Sequence, residues 1–145
     1  MQFSFTYPMV GGDHDPALTT RDGMRSVLEA AEAGGVGAVG FTDHPIPSRR
    51  WLEAGGHNAL DPFAALAFCA AVTEQIRLMT NVVVVPYRNP FLLAKMVATV
   101  DVLSEGRTIL GAGTGYLRAE YRALGVEFDE RNELFDEALD TILAA

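Results

Sequence analysis

Apolar and polar positions along this chain keep two rhythms, a period of two over short stretches and a period near 3.6 over longer ones. Residues 2–7 set apolar Phe3, Phe5 and Tyr7 against polar Gln2, Ser4 and Thr6, then break at Pro8 and Gly11-Gly12. That predicts a short strand and a loop. From Thr20, which suits an N-cap, the spacing of Met24, Val27, Leu28 and Ala31 predicts a helix, and Gly34-Gly35 stops it. Residues 36–41 are short and apolar and predict a buried strand that ends at Thr42-Asp43-His44-Pro45.

The same alternation continues. Residues 45–60 form a long polar loop with the only tryptophan, Trp51, and Gly55-Gly56-His57. Asp61-Pro62 is a cap followed by proline at the first helical position, and residues 63–74 continue as a helix. Residues 76–85 are β-branched and almost continuously apolar, as expected of a strand buried on both faces. Asn89-Pro90 repeats the cap-and-proline start, with Leu92, Leu93, Met96, Val97, Val100 and Leu103 as the apolar stripe and Gly106 as the stop. Residues 108–111 give a fourth strand, followed by Gly111-Ala112-Gly113-Thr114-Gly115, a short helix around 117–124 and a last helix near 130–145. Asp129, Glu130 and Glu133 suit the first turn of that helix, where negative charge meets the dipole.

Four strands alternating with helices imply parallel βαβ units with right-handed crossovers. An open doubly wound sheet and a closed eight-stranded barrel share this pattern, and both place chemistry at the C-terminal ends of the strands. The unusual loops fall there: residues 8–17, 42–60, 86–89 and 111–116.

Composition narrows the function classes. The 145 residues are 49% hydrophobic and 21% charged, a globular balance read as one domain over residues 1–145. A net charge of −8 argues against a nucleic-acid partner, which needs a Lys/Arg surplus on some face. The single cysteine, Cys69, lies in an apolar run and reads as a small buried hydrophobe. No signal peptide is evident, and no run reaches the roughly 18 apolar residues of a membrane helix. A cytoplasmic location is the expectation.

Four places carry chemically useful residues. At the end of the second strand, His44 is placed to donate a hydrogen bond or move protons near pH 7, with Asp43 to orient it; a loop-capping histidine satisfied by carbonyls is the alternative. The turn Gly111–Gly115 brings backbone N–H groups towards an anion or is simply a tight strand-to-helix turn. Its G-x-G-x-G spacing is not the dinucleotide fingerprint. Thr80-Asn81 inside an apolar strand needs hydrogen-bond partners, supplied either by a ligand or by a bulge in the sheet. Arg88 binds an anion or caps the sheet, and Tyr116 and Trp51 line an apolar ring pocket or cover strand edges. His14 and His57 lie far apart in polar loops and, with one cysteine, make no metal-ligand pattern.

Taken in order, several segments resemble the luciferase-like monooxygenase superfamily, in particular its coenzyme F420-dependent branch. They are Gly40-Phe41-Thr42-Asp43-His44-Pro45, Leu60-Asp61-Pro62-Phe63, Ile76-Arg77-Leu78-Met79-Thr80-Asn81-Val82, Pro86-Tyr87-Arg88-Asn89-Pro90, Ala94-Lys95, Leu103-Ser104-Glu105-Gly106-Arg107 and Gly111-Ala112-Gly113-Thr114-Gly115-Tyr116. The resemblance implies the N-terminal (βα)4 half of a TIM-type (βα)8 barrel that binds F420 or FMN at its mouth. It implies Asp43 and His44 as catalytic residues near the ring. It places Thr80, Asn81 and Val82, with a non-proline cis peptide at Asn81-Val82, and Gly111, Gly113, Thr114, Gly115 and Tyr116 around the cofactor. The chemistry implied is hydride transfer or flavin-mediated oxygen activation on a small-molecule substrate.

Two departures matter. Sugar-phosphate dehydrogenases of the F420 branch place an acid just after the Gly-rich turn, and Tyr116 stands there, which disfavours sugar-phosphate oxidation. Barrels of this type run to about 250 residues, so the later strands, whose loops hold the cofactor phosphate in this family, are missing from the sequence. Strands one and four are then open edges above an inner face with nothing to pack on. The expected partner is a second copy closing the sheet by two-fold symmetry, or a separate C-terminal half-barrel if the gene is split or partial. A non-catalytic half-barrel that self-associates or binds another chain is the rival function.

Overall fold

In the computed structural model, which describes residues 2–8 and 15–145, strand and helix alternate along the chain. Strand β1 is Ser4–Thr6; a single 3-10 turn, Pro16–Thr19, leads into α1, Arg21–Ala33. Strand β2 is Ala38–Phe41, and the polar loop after it holds a short helix α2, Arg49–Glu53. Helix α3, Pro62–Val72, precedes β3, Arg77–Thr80, and β4, Val83–Val84; a 3-10 turn, Val85–Tyr87, follows, then α4, Pro90–Leu103. Strands β5, Thr108–Ile109, and β6, Ala112–Gly113, lead to α5, Arg118–Leu124, and α6, Arg131–Ala144.

The helix starts are held by the caps that the sequence predicts. The Thr20 hydroxyl accepts from Gly23 N–H, Asp61 from Ala64 N–H, and Asn89 from Phe91 and Leu92 N–H. Strands β1-β2-β3-β5 form one parallel sheet in that order, with Phe5 beside Val39, Val39 beside Leu78, and Leu78 beside Thr108. Strands β4 and β6 pair in parallel just beyond, Val83 with Ala112 and Val84 with Gly113. Helices α1, α3, α4 and α6 pack in a row beside the sheet. Their apolar faces meet Val39, Phe41 and Leu78 in one core with Leu28, Leu66, Cys69, Leu93 and Val100. Residues of opposite parity, Ser4, Thr6 and Arg77, are exposed, and Met79 is half-buried. The sheet therefore has one face covered by helices and a second, partly open face that mixes Ser4, Thr6 and Arg77 with Ala38, Gly40, Met79 and Ile109.

Two segments differ from their sequence reading. Residues 76–85 are not one strand buried on both faces: the stretch breaks between β3 and β4, where Asn81-Val82 is a cis peptide and both residues are exposed. Three residues lie between Met79 and Val83 on this strand, against two between Ile109 and Ala112 on its neighbour, which is a bulge of one residue. The polar side chain is satisfied internally, because the Thr80 hydroxyl donates to Gly111 C=O at 2.7 Å and accepts from Gly111 N–H at 2.9 Å. The second difference is α2 inside the loop 45–60. Five residues are too few to show a helical period, and the cap Ser48, whose hydroxyl accepts from Trp51 N–H, was its one signal.

The opposite end of the sheet is built for cohesion. All three N–H groups of Glu74, Gln75 and Ile76 point at the Glu32 carboxylate, at 2.6–3.2 Å. Arg107 donates to Ser104, Ala70, Thr73 and Ile76 carbonyls and to the Thr73 hydroxyl. These two side chains fix the α3–β3 link from both sides. Among the described residues no helix is long and apolar enough to cross a membrane.

Candidate active site at the strand C-termini

Residues from the ends of β2, β3, β4 and β6 converge on a cleft of about 310 Å³ lined by Thr42, Asp43, His44, His57, Asn81, Val82, Val84, Gly115 and Tyr116. A larger hollow, about 490 Å³, lies around Arg118, Tyr121, Arg122 and Phe128. Of the arginines that line it, Arg118 pairs with Asp129 at 2.9 Å and lies over the Phe128 ring. The smaller cleft holds Asp43 and two histidines, His44 and His57, at the strand ends.

His44 is 8% exposed and Glu120, on α5, is 1% exposed. The two meet at 3.3 Å through Nδ1 and Oε2. Tyr87 O–H donates to the same oxygen at 3.1 Å, and Ile46 N–H donates to Oε1 at 3.3 Å. Burial, and then the Glu120 charge beside it, push the Tyr87 phenol far above its ordinary range, so it stays a donor. With a carboxylate as acceptor, the His44 proton belongs on Nδ1, and Nε2 carries the lone pair. The result is a histidine fixed in one tautomer by a buried acid, an arrangement suited to accepting a proton from, or returning it to, a group in the cleft.

Asp43 does not orient His44 as its position in the sequence predicts. Its carboxylate faces the other way and accepts from Arg88 at 2.6 and 2.9 Å and from Val84 N–H at 2.8 Å. A bidentate guanidinium is the strongest partner on offer to a buried carboxylate, and the imidazole of His44 is bonded to Glu120 instead. Of the two roles read for Arg88, the geometry is that of a cap on the sheet: it ties the end of β2 to the turn after β4, with Asp61 as a weaker second partner at 3.5 Å.

Of the other predicted cofactor residues, Asn81, Val82, Gly115 and Tyr116 line the cleft. Thr80, Gly111, Gly113 and Thr114 do not. Thr80 and Gly111 are bonded to each other, Gly113 is part of β6 against Val82, and the Thr114 carbonyl accepts from Tyr121 O–H. The Gly-rich turn is therefore packed strand rather than a phosphate cradle: a Cβ on Gly111 would lie 2.1 Å from Thr80 O, and one on Gly113 2.9 Å from Val82 Cγ2. His14 lies outside the described residues.

Two residues of the cleft region escaped sequence reasoning. Glu120 stands in no motif, and only the fold, which closes the 76-residue separation from His44, reveals it. His57 looked like a loop residue; its ring sits 4.8 Å from His44 and 5.3 Å from Trp51, while His44 lies 4.6 Å from Trp51 and 6.2 Å from Tyr116. Burial, and then His44, hold the His57 pKa below its ordinary value. The residues present fit a flat ring with a polar rim. Val82, Val84 and Tyr116 give apolar surface, and Thr42, Asn81 and the two imidazoles give polar edges. No Lys or Arg lines the cleft, so a phosphate finds no partner among these residues.

A parallel sheet with helices on one face and its polar cluster at the strand ends defines a partial (βα) barrel. The sequence profile described as luciferase-like monooxygenase matches residues 1–145, and the chain belongs to that family. An F420-dependent glucose-6-phosphate dehydrogenase of Amycolatopsis mediterranei is 35% identical over 127 residues, 83% of this chain and 36% of that protein. The monooxygenase RslO1 from Streptomyces bottropensis superposes with a TM-score of 0.82 at 30% identity, over 98% of this chain and 42% of that one. The oxygenating constituent of 3,6-diketocamphane monooxygenase from Pseudomonas putida, solved in complex with FMN, shares the fold with a TM-score of 0.80 at 20% identity, over 98% of this chain and 38% of that one. This chain spans about a third of the length of the curated relatives it matches.

Proposed function

We propose that this chain carries the ring-facing part of the site of an F420- or FMN-dependent oxidoreductase or monooxygenase acting on a small molecule. The observation that carries it is the buried Glu120–His44 pair, 3.3 Å apart, in which His44 lines the cleft together with Val82 and Val84 and Glu120 stands behind it. A bound deazaflavin or flavin supplies hydride transfer, or in the flavin case oxygen activation. His44 Nε2 holds or gives up the substrate proton, Glu120 and Tyr87 keep its ring in one orientation, and Tyr116 with Trp51 limits water around it. Asp43 acts one step back, by fixing the loop that carries His44. Tyr116, standing where the sugar-phosphate branch has an acid, supports a substrate other than a sugar phosphate.

Fluorescence titration of the chain with oxidised and reduced F420 and FMN tests this. Binding of one of them with a Kd in the micromolar range is expected. No binding of either at tens of micromolar, weaker than about 7 kcal/mol, overturns it. A second reading, that the chain is a self-associating or partner-binding half-barrel, is supported by the exposure of Phe91, Leu92, Val102 and Leu103 on α4 and by the open edges at β1 and β5. Sedimentation over a hundredfold concentration range separates the two: a monomer throughout sinks self-association.

A further inference from the structure

The four long helices beside the sheet turn different faces outward. On α1, Arg25 and Glu29 are exposed, and on α6, Glu133, Asp136, Glu137 and Asp140 are exposed. Polar outward residues are what a helix packed on a core shows to water. Helices α3 and α4 break that pattern. No charged residue occurs in α3, and its exposed positions are Ala64 and Ala71. On α4 the exposed large apolar side chains are Phe91 at 65%, Leu92 at 60%, Met96 at 39%, Val102 at 78% and Leu103 at 57%. Lys95 is the one charged residue on that face.

Further βα units of a barrel would not cover this face. Helix α4 is interior to its layer: it packs on α3 and on α6, and its Leu93 and Val100 enter the core. A longer barrel extends the helix layer beyond its ends and joins the sheet at the β1 and β5 edges. The row grows, and the outward side of α4 stays outward.

What covers it follows from size and charge. The five large side chains expose on the order of 500 Å² per chain, and two such faces give about 1,000 Å², the level that a specific interface clears. A face with one lysine and no acid offers no charge pattern for a charged partner to match, but it matches itself if the two lysines are kept apart. A two-fold axis through the middle of α4 does this. The copies run antiparallel, Phe91 comes to Leu103, Leu92 to Val102, and Lys95 to Thr99 rather than to the other Lys95. The short outward side chains of α3 beside α4 let the second copy approach closely.

We propose that the outward face of α4, flanked by the alanines of α3, is the interface through which two copies of this chain form a symmetric dimer. It uses neither the cleft nor the β1 and β5 edges. It is therefore independent of the proposed function and distinct from a pairing through strand edges.

Sedimentation of the full chain over a hundredfold concentration range tests the proposal, with Val102→Glu run beside the wild type. A wild-type dimer is expected, and Val102→Glu is expected to raise its dissociation constant at least tenfold, with circular dichroism confirming an intact fold. Cysteine crosslinking locates the contact, because the native Cys69 is buried. Thr99→Cys is expected to give a covalent dimer with a short bis-maleimide, and Glu29→Cys on α1 is not. A wild-type chain that stays monomeric overturns the proposal and leaves the face to a different protein. So does a dimer that a folded Val102→Glu leaves equally tight, or one in which Glu29→Cys crosslinks as readily as Thr99→Cys; this last comparison stands even if Val102→Glu does not fold. Cofactor binding is read separately by fluorescence. A dimer that takes neither F420 nor FMN defeats the proposed function alone, and a monomer that takes one of them defeats this proposal alone.

Discussion

Arg88 and Glu120 show how two buried charges of similar appearance carry different stakes. Arg88 neutralises Asp43 inside the protein, so Arg88→Met leaves a carboxylate that is 3% exposed with only the Val84 N–H. Removing one partner of a buried pair costs about 3–5 kcal/mol, and urea denaturation is expected to show a loss of that order. Glu120→Leu strips acceptors from Tyr87 O–H, Ile46 N–H and His44 Nδ1 at once. Each orphaned donor costs about 1–3 kcal/mol, so a clear drop in stability is expected; Glu120→Gln, which keeps an acceptor, is expected to hold the fold while releasing the fixed tautomer of His44, visible in its 15N shifts. His44 was legible as a site residue from its place after an apolar strand. Its true partner was not, because hydrogen bonds across 76 residues leave no trace in spacing, whereas the adjacent Asp43 offered a nearer and mistaken one.

At the scale of elements, caps and breaks were the readable part. Thr20, Asp61 and Asn89 each cap the helix predicted for them, since a side-chain oxygen two or three residues from an N–H is a local matter. The break inside residues 76–85 was readable only as an alternative, a bulge at the polar pair Thr80-Asn81, and from the cis peptide that the family resemblance places at Asn81-Val82; the β-branched run itself hides it, because such residues favour strand whether or not the ladder is continuous. The α3–β3 link yields a pH prediction. Burial alone would raise the Glu32 carboxyl, but hydrogen bonds from Ile76, Gln75 and Glu74, with Arg107 nearby, outweigh it and hold the group below its ordinary value of 4.5. A depressed carboxyl contributes stability that is present above its unfolded value and lost as pH falls through the folded one. Wild-type chain is therefore expected to exceed Glu32→Gln in stability at pH 7, with the gap closing below about pH 4.5, as followed by circular dichroism during acid titration.

For the whole molecule, the parallel α/β architecture was legible because four βα repeats leave few topologies; which face of the sheet the helices cover became visible only in the structure. Cys69, fully buried among α3's neighbours, has its thiol pushed up to about 12 by burial. It is expected to react with a thiol reagent at pH 8 only as fast as the chain opens, so labelling rates should track the denaturant dependence of global unfolding. Fast labelling in the absence of denaturant would contradict the core described. The one-residue bulge also has a consequence for how the third strand is read by its two surroundings. Before it, even-numbered Leu78 and Thr80 are the buried residues; after it, odd-numbered Val83 and Val85 fill the core while Val82 and Val84 line the cleft. The extra residue is a change of phase. It lets one run of four consecutive valines serve two masters, a pair for the oily interior and a pair for the site, and any single-residue deletion there would exchange their roles.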